Sequence, residues 1–268
     1  MTGAASGIGL AAARHMARLG LRVCLADLPG EKLDAAHADL LATGAAPGDV
    51  IIQPTDVADK AQLQALADRA FSTFGRVNVL MNNAGIQPGS TIFDTEQSWN
   101  RVLEVNMFGV IRGSQIFAPR MLASGQPGLI LNTGSKQGIT TPPGDPAYNI
   151  SKAAVKVFTE ALQHALRNIP GTSVEARLLI PGFVFTALTA HGRSEKPAGA
   201  WTAEQTVEFL FQALDRDDFY ILCPDNEVDR TTDAKRIIWA AGDIAENRPP
   251  LSRWHPDFGD LFKDWLKA

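Results

Sequence analysis

The chain has 268 residues, 25 basic and 29 acidic side chains for a formal net charge of −4, and 45% apolar content. That length supports one sizeable core, and that composition excludes a disordered chain. No run of Lys and Arg stands out, which argues against nucleic acid, and no apolar stretch approaches the roughly 18 residues needed to cross a bilayer. Met1 to Leu10 has no basic region followed by an apolar one, so it does not read as a secretory signal. Cys24 and Cys223 are the two cysteines, and both sit in apolar runs. They read as buried free thiols, which places the chain in a reducing, cytoplasmic setting.

Short β-rich runs alternate with helical runs, the pattern of parallel βαβ units. Thr2 to Gly9 reads as a glycine-rich turn opening a helix that runs to about Leu19. Arg22–Asp27 is predicted as a strand, Glu31–Thr43 as a helix closed by Gly44, and Val50–Gln53 as a short strand. Asp59–Phe74 is an amphipathic helix stopped by Gly75, and Val77–Met81 is a strand running into Asn82-Asn83-Ala84-Gly85. Ser98–Ser124 reads as one long helix with Ser98 as its N-cap. Leu129–Thr133 is a strand, Ala147–Asn168 a helix and Val174–Ile180 a strand. A loop over about 186–202 leads to the helix Ala203–Leu214 and the strand Phe219–Cys223. An extension over about 225–268 holds one further helix, Asp233–Glu246. No repeat or linker interrupts the pattern. One α/β domain over 1–268 is expected, a doubly wound parallel sheet with helices on both faces.

Two groups of residues carry chemistry. In Thr2-Gly3-Ala4-Ala5-Ser6-Gly7-Ile8-Gly9, glycines allow a tight turn and close backbone approach to a pyrophosphate. The helix N-terminus behind the turn offers free N–H groups to the phosphates. Asp27 lies 18 residues after Gly9 at the end of the next strand, near the offset at which an acid accepts hydrogen bonds from an adenosine ribose. Its plainer role is a turn aspartate in Ala26-Asp27-Leu28-Pro29-Gly30. No Arg or Lys occupies Ala4 to Ser6 or Leu28 to Gly30, where a 2′-phosphate would need a cation, so NAD is favoured over NADP.

In the second group, Tyr148 and Lys152 stand four apart and share one helix face. A lysine cation near the phenol is expected to lower its pKa from about 10, making it a usable proton donor and acceptor. Ser135, just past a strand end, is placed to polarise the same substrate oxygen. Asn106 reads either as a functional amide or as a buried helix polar group satisfied by backbone. The chain has only two tyrosines, and one carries this spacing.

Taken together, these residues resemble the short-chain dehydrogenase/reductase (SDR) family from Thr2 to about Thr186. The matching elements are Thr2-Gly3-x-x-x-Gly7-x-Gly9, Asp56-Val57, Asn82-Asn83-Ala84-Gly85, Asn106, Ser135, Tyr148-x-x-x-Lys152 and Pro181-Gly182-x-Val184-x-Thr186. The resemblance implies a Rossmann-like fold without a metal, and interconversion of a secondary alcohol and a ketone with NAD. It further implies that Gly3, Ser6, Gly7, Ile8 and Gly9 hold the cofactor with Asp27, and that Asp56 and Val57 hold the adenine. Asn83, Ala84 and Gly85 would line its adenosine side, and Pro181, Gly182, Val184 and Thr186 would cover the nicotinamide. Tyr148 would be the acid/base, Ser135 would position substrate, and Lys152 would also bind the nicotinamide ribose. Asn106 would hold a water in a proton relay. Such proteins are usually homodimers or homotetramers. The apolar residues Phe108, Ile111, Ile116, Val155 and Phe158 on the two long helices agree with pairing across a two-fold axis.

Other readings stay open. NADPH-dependent carbonyl reduction uses the same residues, a catalytically idle dinucleotide module shares the turn, and a sugar-nucleotide epimerase shares the Tyr/Lys pair but needs a larger C-terminal domain. Gln87, Gln137, Phe183, Phe185 and the Leu188–Trp201 loop are candidates for the substrate pocket by position, with plain loop packing as the alternative for the two phenylalanines. One departure concerns the start: the resemblance calls for an apolar first strand before the turn, and only Met1 precedes Thr2. That strand would lie centrally between Arg22–Asp27 and Val77–Met81, and the resemblance implies that the working protein has about 5–15 more residues upstream; the alternative is that the tail or a partner chain fills the slot.

Overall fold

A computed structural model describes residues 1–190 and 192–267; His191, within the expected substrate loop, lies outside them. In chain order the described elements are α1 (Gly7–Arg18), β1 (Val23–Asp27), α2 (Glu31–Ala42), β2 (Val50–Pro54), α3 (Lys60–Phe74), β3 (Val79–Asn82), α4 (Glu96–Leu103), α5 (Gly109–Ala123) and β4 (Gly128–Thr133). They continue with α6 (Gln137–Thr140), α7 (Pro146–Arg167), β5 (Val174–Ile180), α8 (Ala187–Ala190), α9 (Ala203–Asp215), β6 (Tyr220–Leu222), α10 (Arg230–Ala245) and α11 (Gly259–Lys267).

Every strand pairing is parallel. β1 pairs with β2, and β3, β4, β5 and β6 pair in that order. Side chains alternate faces along each strand, so neighbouring residues feed different cores. In β4, Ile130 packs with Leu63 and Leu66 of α3 and Phe117 and Met121 of α5. Its neighbour Leu131 packs with Ala11 and Ala12 of α1 and Val207 and Leu210 of α9. Leu25 of β1 packs with Met16 of α1 and Leu33 and Leu40 of α2. Helices therefore cover both faces, as the doubly wound reading requires.

Where a first strand is expected, a short bridge formed by Met1, Thr2 and Ala4 joins the two strand sets. Thr2 N–H donates to Met81 O at 3.0 Å, and Met1 O accepts from Ala26 N–H at 2.9 Å. Below them β1 and β3 are not hydrogen-bonded to each other. A cavity of about 290 Å³ separates them, lined by Met1, Val23, Cys24, Leu66, Leu80 and Phe117 among others.

Some boundaries differ from the sequence reading. The long helix expected over Ser98–Ser124 begins at Glu96 with Thr95 as N-cap, and a π-helical turn, Glu104–Phe108, divides it into α4 and α5. A π turn inserts one residue into the helical period, which pattern counting passes over. The last predicted helix starts earlier, because the Asp229 side chain accepts from Thr232 N–H and caps α10. The amphipathic α11 packs Phe262 and Trp265 against Trp239 of α10. Gly75 ends α3 in the left-handed conformation its sequence position suggested (φ 76°). Both cysteines are free and buried, and burial pushes the Cys223 thiol up to about 12.

Candidate active site

A cleft opens along the C-terminal ends of the strands, where ligands bind in doubly wound sheets. At its base the glycine turn passes under Asn83 and Ala84. A Cβ on Gly3 would lie 2.7 Å from Ala84 Cα, so nothing larger than glycine lets the turn seat there. Ser6 caps α1 without a side-chain hydrogen bond, leaving the first-turn N–H groups facing the cleft. Gly3, Ser6, Gly7 and Ile8 line the cleft, but Gly9 does not. Gly9 serves packing instead: a Cβ there would sit 2.0 Å from Gly3 O. Asn83 laces this region together, donating through Nδ2 to Thr2 O and Gly3 O, each at 3.3 Å. Its Oδ1 accepts from Thr133 Oγ1 at 3.3 Å.

Asp27 stands at the tip of β1 on the cleft wall. Its Oδ2 accepts from Ala5 N–H and its Oδ1 from Leu28 N–H, both at 2.8 Å. It is thus the turn aspartate of the plainer reading and a carboxylate with lone pairs left for a ligand. Asp56 and Val57 line the same end, with Arg101 3.3 Å from Asp56 Oδ2. Arg101 went unnoticed in the sequence because only the fold brings α4 over the end of β2.

Tyr148, Ser135 and Lys152 converge at the other end of the cleft with Pro181, Gly182, Val184 and Thr186. Pro146 opens α7 at its first turn, which sets Tyr148 and Lys152 on the face toward β4. Tyr148 is buried, and burial pushes its phenol up to about 12, opposed by a hydrogen bond with Ser135 and reinforced by the nearby Asp145. The expected lowering by Lys152 is not found: desolvation of the phenolate dominates, and the hydrogen bond with Ser135 is what opposes it. The Lys152 ammonium lies 5.7 Å from the Tyr148 ring centre, donates to Thr133 O at 2.9 Å, and is itself brought down to about 8 by burial.

Asn106 sits in the π turn, fully buried. Its Oδ1 accepts from Ile86 N–H at 2.8 Å and its Nδ2 donates to Ile86 O at 2.9 Å. Its Nδ2 also lies 3.3 Å from Ser151 Oγ of α7, so the amide is held by both backbone and side chain. It lies outside the cleft wall but next to it: a Cβ on Gly85 would have Asn106 Oδ1 at 3.4 Å and Lys152 Nζ at 3.7 Å. Among the other candidates, Leu188 lines the cleft. Gln87 and Gln137 instead meet each other at 3.4 Å, and Phe183 lies under Arg193 at 5.9 Å. The loop after Thr186 returns to pair with the 183–185 segment, Trp201 N–H donating to Phe183 O at 2.9 Å and Phe185 N–H to Trp201 O at 2.9 Å.

A glycine cradle before a helix N-terminus, a carboxylate at the tip of the neighbouring strand and a buried Tyr–Lys–Ser group at the far end define an α/β oxidoreductase acting on CH–OH groups. The chain belongs to the short chain dehydrogenase family, whose profile matches residues 1–197. It is 32% identical over 260 residues to 1-deoxy-11-beta-hydroxypentalenate dehydrogenase of Streptomyces exfoliatus, covering 95% of this chain and 92% of that one. It is 33% identical over 190 residues to the 3-oxoacyl-[acyl-carrier-protein] reductase FabG of Thermotoga maritima, covering 70% and 74%. A short chain dehydrogenase/reductase from Burkholderia phymatum, solved in complex with NAD, superposes with a TM-score of 0.83 at 34% identity, covering 93% of this chain and 94% of that chain. Among the described residues no helix is long and apolar enough to cross a membrane.

Proposed function

We propose that the chain interconverts a secondary alcohol and a ketone with NAD, using Tyr148 as the acid/base. The observation carrying this reading is the convergence of Tyr148, Ser135 and Lys152 at one end of a cleft whose other end holds the glycine turn and Asp27. Ser6, Gly7 and Ile8 would hold the pyrophosphate against the N-terminus of α1, and Asp27 would take the adenosine ribose diol. A 2′-phosphate would meet the Asp27 carboxylate. The cations among the described residues of the wall are Arg101, paired with Asp56, and Lys152 at the far end. Asp56 and Val57 would flank the adenine, and Lys152, Val184 and Thr186 the nicotinamide end. The bound cofactor supplies hydride acceptance and donation.

In alcohol oxidation the hydroxyl proton passes to the Tyr148 phenolate as hydride leaves the carbon; in reduction the phenol returns it. Ser135 hydrogen-bonds the same oxygen and holds it against Tyr148. Burial keeps the phenol protonated at neutral pH, so reduction starts from the form at hand, whereas oxidation accelerates as pH rises. Asn106 keeps Ile86, and with it the Gly85 corner beside Lys152, in place. The protein is expected in the cytoplasm, on the strength of two buried free thiols, with a small alcohol or ketone as its partner molecule.

Tyr148→Phe tests the reading. Turnover of a panel of secondary alcohols and ketones, cyclic ones included, should fall about 10²–10⁴-fold while NADH binding persists. Near-normal turnover in this variant would remove Tyr148 from the mechanism.

A further inference from the structure

Lys136 follows Ser135 directly, and its chemistry is not used above. Its side chain is largely buried, with its Nζ 2.6 Å from Asp233 Oδ2 and 3.3 Å from Asp225 Oδ2. The two carboxylates are buried as well, at 5% and 7% exposure. The backbone of the same lysine is engaged on both sides: its N–H donates to Pro181 O at 3.2 Å, and its carbonyl accepts from Ile139 and Thr140 N–H, opening α6.

Asp225 then reaches the opposite wall. Its Oδ2 accepts from Phe183 N–H at 3.3 Å, while its Oδ1 accepts from Glu227 and Val228 N–H. The next residue, Asn226, donates through Nδ2 to Ala198 O at 2.7 Å and Ala200 O at 3.1 Å, holding the end of the loop that pairs with Phe183 and Phe185. The backbone of Gly182 lies against this group: a Cβ there would be 2.8 Å from Asp225 Oδ2 and 2.9 Å from Lys136 Nζ. One buried cation thus connects the Ser135 turn, the Pro181–Val184 wall, the substrate loop and α10.

A buried ion group is an inefficient way to gain stability, since well-packed apolar residues of the same volume do as well or better. What charges add here is direction. A lysine held between two carboxylates and a backbone hydrogen bond to Pro181 fixes where Ser135 stands. We propose that Lys136, Asp225 and Asp233 form a positioning triad that sets Ser135 against Tyr148 and the Pro181–Val184 wall, and that the C-terminal extension thereby takes part in building the active site. The mechanistic half of this inference rests on the function proposed above. The geometric half does not.

Lys136→Met alone leaves two buried carboxylates unpaired and is expected to fold poorly, so the main variant is the neutral triple Lys136→Met/Asp225→Asn/Asp233→Asn. Two readouts separate the questions. The first is turnover beside NADH affinity: the triple variant should lose about 100-fold in kcat, the scale of a misplacement near 1 Å, with NADH affinity within a few-fold of the parent. The second needs no activity. The chain has two tyrosines, so biosynthetic 3-fluorotyrosine gives two ¹⁹F resonances, assigned with Tyr220→Phe. The Tyr148 resonance should move in the triple variant in the same direction as in Ser135→Ala. A folded triple variant whose Tyr148 resonance stays at the parent position overturns the triad, as does kcat within three-fold of an active parent. If the parent turns over no alcohol or ketone, the proposed function fails, and the ¹⁹F comparison still decides the triad.

Discussion

Lys152→Met separates the stability of this fold from its chemistry. Burial brings the Lys152 ammonium from 10.5 down to about 8 in the folded chain. At about 1.4 kcal/mol per pH unit, carrying the charge costs the folded state about 3 kcal/mol. The cost is fully present below about pH 8, where the folded ammonium is charged. Between about 8 and 10.5 the unfolded chain binds more protons than the folded one, so stability rises with pH across that window and the penalty is gone above it. The substitution removes the penalty but leaves Thr133 O without the donor it has at 2.9 Å, a loss of about 1–3 kcal/mol. The two nearly cancel at pH 7, where the variant should equal or exceed the parent by up to about 2 kcal/mol. By pH 10 most of the penalty has left the parent, and the variant should be the weaker by about 1–2 kcal/mol. Tyr148 also titrates, but its folded value lies near 12 and both proteins contain it. Urea unfolding of the two proteins at several pH values from 7 to 10 measures the difference. Turnover in the same variant should fall about 10²–10³-fold, as when a charge-stabilising group is removed. A stability difference that stays constant over that pH range would refute the argument that Lys152 carries its charge in a desolvated site.

Three further outcomes are expected. Asp27 should repel a 2′-phosphate, giving about a 100-fold preference for NAD over NADP in kcat/KM, reduced about ten-fold or more in Asp27→Asn; steady-state kinetics with both cofactors measures it. Phe108, Ile150 and Val157 stand 36%, 46% and 62% exposed on the α5–α7 side, so light scattering should report a dimer or tetramer, and Phe108→Glu/Val157→Glu should shift it to monomer. A five-residue apolar extension ahead of Met1 should enter the cavity between β1 and β3; burying even two side chains there adds about 3–6 kcal/mol, read as a higher Tm, and an unchanged Tm would show that the cavity closes without it.

Much of the site was legible in the sequence because its chemistry is local. Tyr148 and Lys152 share a face through helical spacing alone, and a glycine turn opening a helix, with an acid at the tip of the following strand, is a local pattern that marks a candidate dinucleotide site. The remaining expected residues follow from motif order, and all but Gly9 and Asn106 line a single cleft. Asn106 shows the limit. Its place beside Lys152 follows from the fold, but its partners, the N–H and C=O of Ile86 and the hydroxyl of Ser151, are decided by a π turn that the helical period does not reveal.

The rest depended on contacts between residues far apart in the chain. Val155, one of the apolar residues named around the two long helices, is fully buried against the β5 side of the core, while Val157, two residues on, faces out. Periodicity gives the angle between them and not which of the two meets the sheet. The phenol of Tyr148 is a similar case: a lysine four residues away suggests a lowered pKa, and the depth of burial around both groups reverses it. Lys136, Asp225 and Asp233 carry no motif, because a charged triad assembled from a turn, a loop and α10 has no spacing to read. Sequence by itself determined the main strands and helices, though not the π turn, α6, α8 or α11, together with their parallel winding and the residue types at the strand tips, since these follow from short-range periodicity and turn chemistry. Tertiary structure alone decided solvation, partner choice and the joining of the C-terminal extension to the cleft, because burial and ion pairing are set by what packs across the sheet.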